Sequence, residues 1–169
     1  IRAYDGVVEM VREPEAGPVA SPWVALAASA ALVARTRHGT DDRDPRAREL
    51  RDLVAGPDGR RQPGALWFTD LPLNGVLLVA LGAWVLRLGP ADQHEDGVRL
   101  LAVAQRWAYN RSIPVMAWEP LAAMADAALP GLVDRLVEEL ADRPGPELVP
   151  EAASVVDRLS AAWTVTSAG

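Results

Sequence analysis

Leu71–Leu88, LPLNGVLLVALGAWVLRL, decides how this chain folds. The charge before it is Asp70, and the next along the chain is Arg87. Leu73, Val76, Leu77, Ala80, Leu81, Trp84, Val85 and Leu88 recur at three-and-four spacing, while Leu78, Val79 and Leu86 fill the other side. A helix apolar nearly all round has to be covered on several faces. The stretch therefore predicts a central helix with the remaining elements laid against it. Thr69-Asp70 and Pro72 mark its start, and Gly89-Pro90 its stop.

On both sides the same helical grammar continues. Tyr4, Val7, Val8 and Val11 predict a short first helix, followed by a Pro- and Gly-containing linker up to residue 20. Ser21 as N-cap with Pro22 in the first turn opens a helix that closes on His38-Gly39. Pro45 leads a second helix over residues 46–54, and residues 56–64 read as an exposed loop. After the central helix come segments at 94–109 and 118–128, one opened by Pro130, and a last amphipathic helix from Pro150 to Trp163. No segment alternates with period two, so the expected class is all-α. The expected organisation is a helical domain over residues 21–165, with hairpins at about 22–55, 71–109 and 118–142, a terminal helix over 150–163 and a tail at 166–169.

Composition narrows the function classes. A net charge of −6 argues against a phosphate-binding surface, because that needs a clustered positive face. All 17 basic residues are Arg, which reads as the codon bias of a GC-rich genome. No Cys is present, so thiolate metal sites and disulfides are excluded. The apolar core of the central segment, residues 75–86, falls short of the roughly 20 residues a membrane span needs, and neither end resembles a signal peptide. The expectation is a soluble, cytoplasmic chain cut from a longer polypeptide.

Reactive constellations are hard to assemble. His38 and His94 stand at helix–turn boundaries, and HExxH is absent. No Ser lies in G-x-S-x-G, and Asp41-Asp42 and Glu138-Glu139 read as solvated charges. Arg43, Arg46, Arg48 and Arg51, with Arg60 and Arg61 in the following loop, are interleaved with Asp41, Asp42, Asp44, Glu49 and Asp52, which predicts exposed ion pairs. No catalytic residue, metal or cofactor is expected. The six Trp against one Phe stand out. Trp84, Trp107 and Trp163 fall on apolar helix faces, which suits core packing, while Trp23, Trp67 and Trp118 sit at helix starts and suit covering a seam. The densest mix of aromatic and polar groups is Arg106, Trp107, Tyr109, Asn110 and Arg111 with Trp118, the candidate binding surface. Its structural alternative is that Tyr109 and Trp118 cap a hairpin, with Asn110 ending the helix in a left-handed turn.

Laid on itself at an offset of fifty, the chain pairs Ala30 with Ala80, Arg37 with Arg87, Gly39 with Gly89, Asp42 with Asp92 and Leu50 with Leu100. Each copy ends an apolar helix in Arg-x-Gly and opens the next with a small residue, Ala47 or Gly97, facing the first. With Gly82, Gly89, Gly97 and Ala104 at the small positions and Leu78 and Leu81 at large ones, this resembles the tetratricopeptide repeat. The turn is longer than the family's, Val85 stands where Tyr is usual, and Leu32 stands where a Gly is expected. The cadence LNGVLLVALGAWVLRLG…EDGVRLLAVAQRWAYNR is also similar to the C-terminal helical-repeat region of large actinobacterial transcriptional regulators of the antibiotic-regulatory and nucleotide-binding kind. That resemblance implies a non-enzymatic module acting on another protein, or on other domains of the same polypeptide, by contact or signal transmission. With a net charge of −6, no P-loop or DNA-binding motif and an apolar run too short for a span, no nucleic-acid or membrane surface is expected here, and an exposed end helix leaves a homodimer open. The alternative is a small-molecule receptor with an apolar pocket lined by Trp84, Trp107 and Trp118.

Overall fold

A computed structural model describes residues 1–11, 22–39, 44–56 and 66–166. Among these it contains eight α-helices and no strand. They are α1 (Arg2–Val11), α2 (Pro22–His38), α3 (Pro45–Ala55), α4 (Leu71–Leu88), α5 (His94–Arg106), α6 (Trp118–Ala128), α7 (Leu132–Leu140) and α8 (Val149–Thr166). The expected Ser21 cap, the Asp41-Asp42 pair, Arg43, Arg60, Arg61, and the linker, loop and tail at 12–20, 57–65 and 167–169 lie outside the described residues.

The central helix spans the predicted residues. Asp70 accepts the Leu73 N–H at 2.7 Å, and Pro72 occupies the first turn, where its missing N–H costs nothing. Every residue from Asn74 to Leu86 is buried. By length and mean hydropathy, 1.8, α4 resembles a membrane span, but 72% of it is buried inside the chain. The faces that must be hidden are covered by neighbouring helices. α5 packs along one side and α2 along another, with α3 and α6 adding smaller contacts.

The α4–α5 crossing rests on glycine. A Cβ on Gly82 would stand 2.8 Å from the Gly97 carbonyl oxygen, and one on Gly97 would stand 3.2 Å from that of Gly82. The two backbones approach where side chains would keep them apart. One end of the seam closes the same way, since a Cβ on Gly75 would meet the Tyr109 Cβ at 2.9 Å.

α2 is buried over most of its surface between α1, α3 and α4. Arg35 ties α1 to this layer through Asp5 at 2.6 Å, and also binds Asp44 at the start of α3. Asp44 in turn caps α3 through the Arg46 N–H at 2.9 Å, and Gly56 ends that helix in a left-handed turn (φ 75°). In the C-terminal half, α7 buries Leu132, Val133, Leu136 and Leu140 and lies more on α5 than on its sequence neighbour α6. α6 has little to offer α7, because only Leu121 and Ala125 of it are buried. α8 runs antiparallel to α5, with Arg158 on Asp96 at 2.6 Å and Glu151 on Arg99 at 2.7 Å.

Three local expectations are corrected. α5 stops at Arg106 instead of reaching Tyr109, because Ala108, not Asn110, takes the left-handed conformation (φ 51°). α7 begins at Leu132, two residues after Pro130, because Gly131 is left-handed (φ 72°) and donates its N–H to Asp126. Arg51 is not an exposed ion-pair member; it is 7% exposed.

Candidate interaction site

The predicted surface around the end of α5 is mostly an internal clamp. Trp107 and Tyr109 are 3% and 2% exposed. The Trp107 indole N–H donates to the Gly145 carbonyl at 2.9 Å, and Arg106 Nε donates to the carbonyls of Leu140 and Arg143 at 3.1 and 2.8 Å. Both side chains thus hold the turn between α7 and α8 against the end of α5. The Tyr109 hydroxyl donates to the Met116 carbonyl at 2.8 Å, folding the chain back toward α6. Burial pushes that phenol up to about 12, with Arg111 opposing and Glu119 reinforcing the shift. Trp118 is half-buried against the core. Only Asn110 and Arg111 of the six are exposed. Asn110 binds Ser112 within its own turn, and the Arg111 guanidinium lies 5.5 Å from the Tyr109 ring.

The three tryptophans proposed to line a pocket meet different neighbours. Trp84 packs edge-on against Trp163, with ring centroids 5.2 Å apart, and the Arg51 guanidinium stands 4.7 and 4.9 Å from the two rings. Trp107 is engaged with Gly145. The burial of Arg51 has a signature in the sequence: Ala47, Leu50, Arg51 and Val54 follow the i, i+3, i+4, i+7 spacing of a buried face. A buried guanidinium needs partners, and it finds two indole faces plus the Asp52 carboxylate at 2.5 Å. Trp23 departs from the seam-covering expectation, being 70% exposed at the start of α2.

The clamp has a second consequence. By fixing the α7–α8 turn it presents Arg143 to an open polar cleft of about 330 Å³ between α5, α7 and α8. Arg99 lines it from α5, Glu139 from α7, and Glu151, Ser154 and Arg158 from α8, with Val155 as its apolar part. Glu151 is the hub, accepting from Arg99 at 2.7 Å and from Arg143 at 2.8 Å. Burial raises its carboxyl, but the hydrogen bonds and positive charge of both arginines outweigh this and hold it below the ordinary glutamate range. Arg158 completes the wall, donating to Asp96 at 2.6 Å and to the Ser154 hydroxyl at 3.2 Å. None of the three proposed pocket tryptophans lines this cleft. Sequence reasoning missed it because its residues come from three separated helices and a turn, with no spacing that links them. Among the described residues, no three His, Asp or Glu side chains gather as metal ligands.

No family model, curated protein or solved structure matches the chain.

Proposed function

We propose that this chain is a non-enzymatic, tetratricopeptide-like module of a larger bacterial transcriptional regulator, working by protein–protein contact or by passing a signal to other domains. The observation that carries the reading is the order of packing. α2 lies against α4, α1 and α3, and α4 lies against α5; this order of contacts supports reading α2–α3 and α4–α5 as successive hairpins that meet through their first helices. The glycine contact at Gly82 and Gly97 stands at the small-residue positions that such a hairpin requires. Helical arrays of this kind act through shape and surface, without a reactive group. Two exposed side chains suit a contact surface: Trp23, with the large rigid area of an interface anchor, and Arg111.

The test uses the segments encoded on either side of this one in its gene, expressed separately and titrated against the chain. Saturable binding that weakens about tenfold or more, about 1.4 kcal/mol, in Trp23→Ala or Arg111→Ala supports the reading. A gene encoding nothing beyond this chain, or binding indifferent to both substitutions, overturns it.

A further inference from the structure

In a chain of net charge −6, three guanidinium groups converge on one cleft. Each carries five N–H donors, and the ion pairs inside the cleft use only part of them. Arg143 gives Nη1 to Glu151, and Arg158 gives one Nη to Asp96 and the other to Ser154. The side chains of Arg143 and Arg158 are 38% and 55% exposed, so further donors remain within reach of a ligand. Glu139 lines the cleft from α7, is exposed, and forms no ion pair among the described residues. One side of the cleft thus offers forked cationic donors, and α7 offers a carboxylate.

The balance of charge limits what fits. Arg99, Arg143 and Arg158 face Glu139 and Glu151 in the lining, with Asp96 on Arg158 and Glu95 3.9 Å from Arg99. No positive surplus remains to hold a phosphate dianion, which would meet two lining carboxylates. A molecule carrying both signs is matched on both sides. The cleft's volume also sits at the small end of ligand sites.

We propose that this cleft binds a small zwitterion, an amino acid or short peptide, with its carboxylate on Arg143 and Arg158 and its ammonium on Glu139. The assignment goes beyond the interaction-module reading and does not depend on it. Calorimetric titration and thermal melts of the chain at fixed ionic strength with glycine, diglycine and triglycine test it. N-acetylglycine supplies the carboxylate alone and glycinamide the ammonium alone. At least one zwitterion is expected to bind about tenfold tighter than either control. Glu139→Gln should lower its affinity to that of N-acetylglycine, and Arg158→Ala should weaken it by a similar factor. Both side chains are exposed, and a melt of each unliganded variant verifies that it folds. The proposal is overturned if no zwitterion binds at about 10 mM, if N-acetylglycine binds as tightly, or if Glu139→Gln leaves the preference unchanged.

Discussion

Gly82→Ala is the sharpest perturbation of the helix stack. Added to α4, the new methyl stands 2.8 Å from the Gly97 carbonyl oxygen and 3.1 and 3.2 Å from the Leu101 Cδ2 and Cγ atoms. A leucine tip can rotate away, but a carbonyl in the facing backbone cannot, so the helices must part by roughly half an ångström. A gap of that size forfeits about a quarter of the dispersion well at each contact it opens. Overpacking of this kind costs about 1–3 kcal/mol, against which Ala gains about 1 kcal/mol over Gly in helix propensity. Subtraction leaves about 0–2 kcal/mol, and because the contact is with rigid backbone at 2.8 Å the expectation is the upper half, about 1–2 kcal/mol of lost stability, or a Tm lower by roughly 2–8 °C for a chain of this size. Gly6→Ala is the control, because beyond its chain neighbours and the nearby backbone of α1 nothing lies within 4 Å of its added Cβ, and only the propensity gain applies. Urea and thermal melts followed by circular dichroism measure both. Gly97→Ala should couple with Gly82→Ala non-additively, since the pair shares one contact. A Gly82→Ala chain as stable as the parent refutes the crossing described here.

Other substitutions probe other links. Asn74 is fully buried, accepts the Phe68 N–H at 3.2 Å and donates to the carbonyls of Phe68 and Asp70 at 2.7 and 2.8 Å. Asn74→Ala strands these groups and should cost about 3 kcal/mol in a denaturant melt; a loss under about 1 kcal/mol contradicts the role. Tyr109 keeps its proton in the folded state above the ordinary value of 10.0, so its stabilising contribution is whole below that pH and is lost as pH rises toward about 12. Tyr109→Phe should lose about 1 kcal/mol at neutral pH and show a flatter alkaline melt; an unchanged alkaline slope counts against the assignment. Glu151 has the opposite sense: its contribution is present above the ordinary value of 4.5 and is lost as pH falls through its lowered folded-state value. Glu151→Gln should therefore flatten the acid limb of stability against pH, and a curve parallel to the parent would contradict the bridge.

The fold was legible where one local rule decided it. Asp70 and Pro72 opened α4, its unbroken apolar run made it central, and the small residues at 82 and 97 foretold the close crossing. The end of α5 and the start of α7 were not legible because single residues take left-handed conformations, Ala108 between the buried Trp107 and Tyr109, and Gly131 in a turn closed by Asp126. Around the end of α5 the inward face of Trp107 was legible from its apolar helix position, but the inward turn of Arg106 was not. An amphipathic side chain can face inward when carbonyls wait there, as those of Leu140, Arg143, Gly145 and Met116 do. The cleft was invisible to sequence because Arg99, Glu139, Arg143 and Arg158 come together only through tertiary packing.

The whole helix stack depends on α4 being the buried axis of the molecule. Native-state hydrogen exchange measures this amide by amide. Residues 76–85 should exchange only through global unfolding, with a protection free energy equal to that of the denaturant melt, while α1 exchanges sooner. Exchange of α4 amides as fast as those of α1 would contradict that role.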